Sequence, residues 1–131
     1  MSERADLRHV PASSLSSETA QTSGMRRTAA ISEALTGSSR IWMGQTEVAP
    51  RTASGPHHHG ESETAIYVVS GNPVFRFLSD GVEQALATRP GDYVFVPPYV
   101  PHIEENPHDE PALVVIARST QEAIVENLEQ L

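Results

Sequence analysis

From Arg40 to Arg118 the sequence is a succession of short apolar runs, RIWMGQTEV, TAIYVVS, PVFRFL, VEQALAT, YVFVP and ALVVIAR, cut by Gly, Pro, Asn and Asp. Each run has the length of a strand, is rich in β-branched and aromatic residues, and returns after about 8–12 residues. A chain punctuated this often has no room for long helices. It closes into a β-sandwich or a small barrel. GDYVFVPP supplies a turn before its strand and a proline stop after it, and Ser79, Asp80 and Gly81 read as a tight hairpin turn. With 131 residues the chain makes one domain, which at this size buries roughly two-thirds of the surface its unfolded form exposes.

The flanks differ from this centre. Residues 1–39 are expected to give a short strand over 7–10 and then irregular cover over most of 11–30, because residues 11–39 are rich in Ser, Thr, Ala and Gly, with apolar residues too sparse to line a helix or strand face. Residues 40–118 form the barrel. In residues 119–131, Ser119 with Glu122 makes a capping box, and Ile124, Val125, Leu128 and Leu131 fall at helical spacing, which favours a short C-terminal helix over a last strand through 123–125.

Composition narrows the chemistry. The chain has no cysteine, so disulfides, zinc fingers, iron–sulfur ligation and thiolate nucleophiles are excluded, and any metal is expected to be held by His and carboxylate. Net charge is −8 and the isoelectric point is near 5.1, with no lysine and the arginines scattered, which argues against a nucleic-acid partner. No apolar run approaches the ~18 residues of a membrane span, and the opening has no signal-peptide core. These features predict a soluble, cytoplasmic protein with neither membrane nor nucleic acid as partner.

Within GPHHHGESETAIYVVSG, His57, His58 and His59 are consecutive. In an extended segment residues i and i+2 share a face, so His57 and His59 present their imidazoles to one point and His58 turns away. A divalent ion needs a third donor. His102, which follows YVFVPP through a turn, is the candidate, because in an antiparallel barrel that strand can lie beside the first.

Taken together, the two histidine segments resemble the two signatures of the cupin superfamily, in particular its small single-domain bacterial members. The first signature is a glycine, two histidines one residue apart, a glutamate three or four residues on and a glycine six further. His57, His59, Glu63 and Gly71 match it, with Gly55 only two residues ahead of His57. The second is a glycine, five residues, a proline, then a histidine and an asparagine, matched by Gly91, Pro97, His102 and Asn106, with Tyr99 where a glycine is usual. A left-handed turn at that position would strain a tyrosine, so a turn of another shape is expected, with the ring at the barrel mouth.

This resemblance implies an all-β double-stranded β-helix, a jelly-roll-like barrel, with one divalent metal (iron, manganese, zinc, nickel or copper) held by His57, His59, His102 and Glu63, and a homodimer. One extra residue lies between His59 and Gly71: counting forward places the glutamate at Glu63, and counting backward places Thr64 there. Since neighbouring strand residues face opposite sides, that slip decides between three histidines with a carboxylate and three histidines with water. Glu61, Glu104, Glu105, Asp109 and Glu110 are read as a solvated rim. The resemblance further implies a dioxygenase acting on a small organic substrate that chelates the metal. The alternatives are a non-redox isomerase, cyclase or lyase with Glu63, Tyr67 or Tyr99 as proton carrier, and a small-molecule binding or sensing protein without turnover.

Overall fold

A computed structural model describes residues 6–131 of the chain. Eleven strands and one helical turn account for its regular structure: β1 (Met25–Ile31), α1 (Glu33–Thr36), β2 (Trp42–Val48), β3 (Thr52–Ala53), β4 (His57–His58), β5 (Thr64–Ser70), β6 (Val74–Ser79), β7 (Val82–Ala87), β8 (Tyr93–Val96), β9 (Ile103–Asn106), β10 (Ala112–Arg118) and β11 (Glu126–Asn127), with a short 3₁₀ turn at Ala12–Ser14. Every strand pairing is antiparallel, in a five-stranded sheet ordered β1-β2-β10-β5-β8, a four-stranded sheet ordered β3-β9-β6-β7 and a short pair β11-β4. No helix among the described residues is long and apolar enough to cross a membrane.

Alternation along the strands builds the interior. Thr64, Ile66 and Val68 of β5 and Ala112 and Val114 of β10 are buried while most of their neighbours are not. With Phe75 and Val96 they close a core of Ile66, Val68, Phe75, Val96 and Val114 between the two larger sheets. A second cluster, Met25, Val48 and Ala112, ties the outer strands together. The hairpin β6–β7 turns through Asp80 (φ 51°) and Gly81 (φ 77°), the pair of positive φ values that a two-residue hairpin loop of this twist demands. Asn106, fully buried, donates from Nδ2 to the Glu110 carbonyl at 2.7 Å and accepts the His108 N–H at 3.2 Å, pinning the turn that follows β9.

Three expectations are corrected, two for the flanks and one for a turn within the barrel. Residues 7–10 are not a strand, and the regular strand of the front end is β1, hydrogen-bonded along its length to β2. Its MRRTAAI sequence escaped notice because only Met25 and Ala29 of its inward face are apolar and buried. The C-terminal segment is not helical. It runs extended, with Glu126 and Asn127 of β11 paired to His58 and His57, and Ile124 seated over Gly60, where an added Cβ would lie 2.9 Å from Ile124 Cγ2. Helical spacing is a weak prior, and a strand edge waiting for a partner overrides it. Finally, Tyr99 does adopt the left-handed region (φ 63°), so the turn before His102 keeps the shape that usually takes glycine.

Candidate metal centre

His57 and His102 are brought together by backbone pairing. Each donates its N–H to the other's carbonyl, at 3.1 and 2.9 Å, so they form a directly opposed antiparallel pair whose side chains leave the same face. His59, two positions beyond His57, shares that face. The ring centroids lie 4.5 Å apart for His57 and His102, and 4.9 Å apart for each of the other two pairs. His58 turns away, as alternation requires, and its ring meets Tyr99 instead.

The fourth member is Glu104. Its carboxylate and one nitrogen from each of the three rings all lie within 4.8 Å of one another. Glu104 is two residues beyond His102, so β9 repeats the i, i+2 device by which the first segment presents two histidines. Assigning Glu104 to a solvated rim overlooked this. Glu63 lies outside the cluster: its side chain is exposed, and its backbone is held by Ser119, which accepts from the Glu63 N–H at 2.9 Å and donates to its carbonyl at 3.0 Å. The additional residue is taken up in a turn closed by the Ser62 N–H on the His59 carbonyl at 3.0 Å, so the register counted back from Gly71 holds and Thr64 faces inward. Tyr67 points to the opposite face of β5 from Thr64, Ile66 and Val68, its ring 4.8 Å from that of Tyr93. Tyr99 is 63% exposed. Neither tyrosine belongs to the cluster.

The histidines are held in the form a metal requires. Nδ1 of His57 lies 2.8 Å from the Gly55 carbonyl, Nδ1 of His59 lies 2.9 Å from the Ile124 carbonyl, and Nδ1 of His102 lies 3.0 Å from the Val100 carbonyl. A carbonyl oxygen can only accept, so each Nδ1 carries the hydrogen, and in the neutral form of each ring it is Nε2 that keeps the lone pair. Backbone partners on the far nitrogen are the usual way ligating imidazoles are oriented. The buried Nε2 of His102 has no hydrogen-bond partner, the Glu104 oxygen standing at 3.5 Å. An orphaned lone pair facing two more and a carboxylate fits a divalent ion, and the donor set of three nitrogens and one oxygen suits the first-row transition metals.

Electrostatics favour the neutral ring at His57 and His59. Burial pushes the pKa of His57 and of His59 below the usual histidine value, against the opposing pull of their carbonyl partners and of Glu104, so both are neutral near pH 7. Burial works the same way on His102, but the adjacent Glu104 carboxylate outweighs it and raises the value. For Glu104 burial would raise the pKa, yet His102 beside it, followed by His57 and His59, pulls it down to about 2. The carboxylate is therefore ionised and ready to ligate.

Beside the cluster lies a cavity of about 100 Å³ that reaches His59 and Glu104. Trp42 of β2, Thr64 of β5 and the tail residues Ile124 and Val125 wall it, and two arginines open into it, Arg27 from β1 and Arg118 from the end of β10. Both arginines share the parity of buried neighbours on their strands, Met25 and Ala29 for one, Ala112 and Val114 for the other. Reading the arginines as scattered missed them. A second, more apolar groove of about 400 Å³, lined by Phe75 and Phe77 of β6 and Val94, Phe95 and Val96 of β8, also reaches His102.

Comparison with known proteins agrees with this geometry. The S161A mutant of Bacillus subtilis oxalate decarboxylase superposes with a TM-score of 0.71 at 25% identity, over 85% of this chain and 30% of that one. Lactobacillus farciminis oxalate decarboxylase in its formate complex gives 0.69 at 21% identity, over 83% and 32%. A recombinant oxalate oxidase in complex with glycolate gives 0.69 at 18%, over 86% and 59%. This chain thus spans about a third of the decarboxylases, and the two lower identities speak for the fold alone. No curated protein matches the sequence. The cupin-domain model matches residues 44–117, more than half of the sequence and all of the four-stranded sheet, with most of the five-stranded one apart from β1, and the chain therefore belongs to the cupin family.

Proposed function

We propose that this protein is a metal-dependent enzyme of the dioxygenase class, acting on a small organic substrate that binds the metal through oxygen. The observation that carries the reading is the set of three Nδ1–H groups tied to backbone carbonyls, which leaves three Nε2 lone pairs and the Glu104 carboxylate aimed at one place. Four protein ligands leave free positions on an ion that favours six. When bound, a redox-active ion would supply a docking point for substrate oxygen and electron exchange with dioxygen.

The residues of the chain do the rest. His57, His59 and His102 hold neutral nitrogens in a fixed orientation, and Glu104 contributes one negative charge, which lowers the net charge of a divalent centre to +1 and suits redox chemistry better than pure Lewis-acid catalysis. Ile124 and Val125 narrow the approach from solvent and limit side reactions with water. Supporting this reading, a solved Bacillus subtilis oxalate decarboxylase with the same fold is described with Mn(II) centres.

Oxygen uptake by the iron- and manganese-loaded protein, offered β-diketones, catechols and small hydroxy and dicarboxylic acids, tests the proposal. Metal-dependent uptake with at least one of these, abolished in His57→Ala, is the expected result. Retention of zinc alone by protein from its own host, with no oxygen uptake across the panel, would refute dioxygenase chemistry.

A further inference from the structure

Arg27 and Arg118 present a problem of charge that the metal cluster does not solve. Both guanidinium groups open into the small cavity that holds His59 and Glu104. Arg27 donates from Nη1 to Thr22 Oγ1 at 2.8 Å. Arg118 donates from Nε to the Thr120 carbonyl at 3.0 Å and from Nη2 to the Gln121 carbonyl at 2.7 Å, with its guanidinium carbon 4.1 Å from the centre of the Trp42 ring. All of these partners are neutral. Among the described residues, neither arginine has a carboxylate within ion-pair distance; Arg8, Arg40 and Arg89 also lack one but are exposed, whereas Arg27 and Arg118 are part-buried, and Arg26, Arg51 and Arg76 are each paired.

A chain with 17 acidic residues against nine basic ones has carboxylates to spare for pairing. It leaves these two unpaired and close enough to disturb each other: burial, and then the charge of Arg27, lowers the pKa of Arg118 to about 10. Holding two like charges in a part-buried site is unfavourable unless a counter-ion joins them. With a divalent ion in the cluster the balance moves further the same way, since among the described residues Glu104 is the only acid on the cavity wall. Each guanidinium also keeps hydrogen-bond donors free, and the planar fork is the geometry that takes up a carboxylate through two parallel bonds.

We propose that Arg27 and Arg118 form an anion-binding wall opposite the metal position, and that the substrate is a small carboxylic acid whose carboxylate they hold while another of its oxygens faces the ion. This inference rests on the metal-site reading for its second half only. The cavity volume limits the acid to a few carbons, and Trp42 with Ile124 and Val125 supplies an apolar wall for its carbon chain.

Malonate and its neutral counterpart malonamide are the probes, titrated calorimetrically into the manganese-loaded and the metal-free full chain. Malonate is expected to bind the loaded protein at least about tenfold tighter than malonamide. Arg27→Gln is the first variant, because this side chain lies on the edge strand β1 and makes one side-chain hydrogen bond, so its loss spares the fold. It should weaken malonate by about 10- to 100-fold with manganese affinity changed by no more than a few-fold. Arg118→Lys keeps charge but loses the fork, and should weaken malonate by about tenfold. Equal binding of malonate and malonamide, no malonate binding at all, or unchanged malonate affinity in both variants would overturn the proposal. Manganese binding with no preference for malonate would sink the anion wall and leave the metal site standing. Arg27-dependent malonate binding by a protein that takes up no metal would do the reverse.

Discussion

Replacing Glu104 with Gln keeps the shape of the side chain and removes its charge, and pairing it with Glu63→Gln separates the two ways of locating the carboxylate ligand. The size of the effect follows from what the histidines already do to Glu104. Moving a carboxyl from the ordinary 4.5 to about 2 corresponds to roughly 3 kcal/mol of preference for cationic surroundings. A divalent ion among the same groups carries twice the charge of an imidazolium. An attraction of that order puts the expected weakening of manganese or iron binding in Glu104→Gln at about 100-fold. Glu63 is exposed and outside the cluster, so Glu63→Gln should leave affinity within about twofold. Competition against a chromophoric chelator at neutral pH measures both, with thermal melts of the metal-free proteins as the control for folding. A second signature accompanies the first. Because the folded-state pKa of Glu104 is depressed, its contribution to the stability of the metal-free protein is present above about 4.5 and is lost as the pH falls towards 2, and Glu104→Gln should lack that component of acid sensitivity. Loss of metal affinity in Glu63→Gln with retention in Glu104→Gln would refute the strand register on which the site is built.

Three further outcomes are expected. As the pH falls below about 6 the loaded protein should release its metal, because ligation needs neutral imidazole, and retention at about pH 4.5 would contradict histidine ligation; in the metal-free protein the depressed His57 and His59 lose stability over the same falling range, while the raised His102 adds stability below the usual histidine value that fades as the pH climbs through its own. In Gly44→Ala the new methyl would press on the Thr28 carbonyl of β1 and lie 2.8 Å from a Trp42 ring carbon, so denaturant melts should show a loss of about 1–3 kcal/mol, and an unchanged midpoint would mean that β1 is not packed as closely as described. Tyr99→Gly relieves a left-handed residue, worth about 1–2 kcal/mol, against a gain in unfolded-chain freedom of about 0.5–1 kcal/mol, so stability should hold or rise slightly with metal affinity unchanged; a loss of metal affinity would place the ring at the site after all.

The parts of the fold that were legible in the sequence are those whose cause is local. Alternation within TAIYVVS and ALVVIAR and the turn chemistry of Asp80 and Gly81 each involve a few adjacent residues, and β5, β10 and the β6–β7 hairpin follow. His57 and His59 were legible for the same reason. Glu104 and Arg118 were equally open to that reasoning: His102 and Glu104 are i and i+2, and Arg118 is i+6 from Ala112 on one strand face. They were passed over because charged residues were sorted by type, as rim or scatter, before being sorted by face. A charge on the buried parity of a strand is expensive, and that expense is the reason to ask what it meets.

The C-terminal segment marks where local reasoning ends. Ile124, Val125, Leu128 and Leu131 do have helical spacing, but a helix would consume the carbonyl of Ile124 in its own ladder, and in the folded chain that carbonyl takes the Nδ1–H of His59, 65 positions away. The extended tail thereby does three things at once: it pairs with the His57–His58 edge, covers Gly60, and fixes which nitrogen of His59 faces the ion. No pattern confined to residues 119–131 encodes the demand of a histidine at position 59 for an acceptor. The tail is therefore a working part of the metal centre: it sets the tautomer of one ligand through a backbone atom, where no side-chain motif could reveal it.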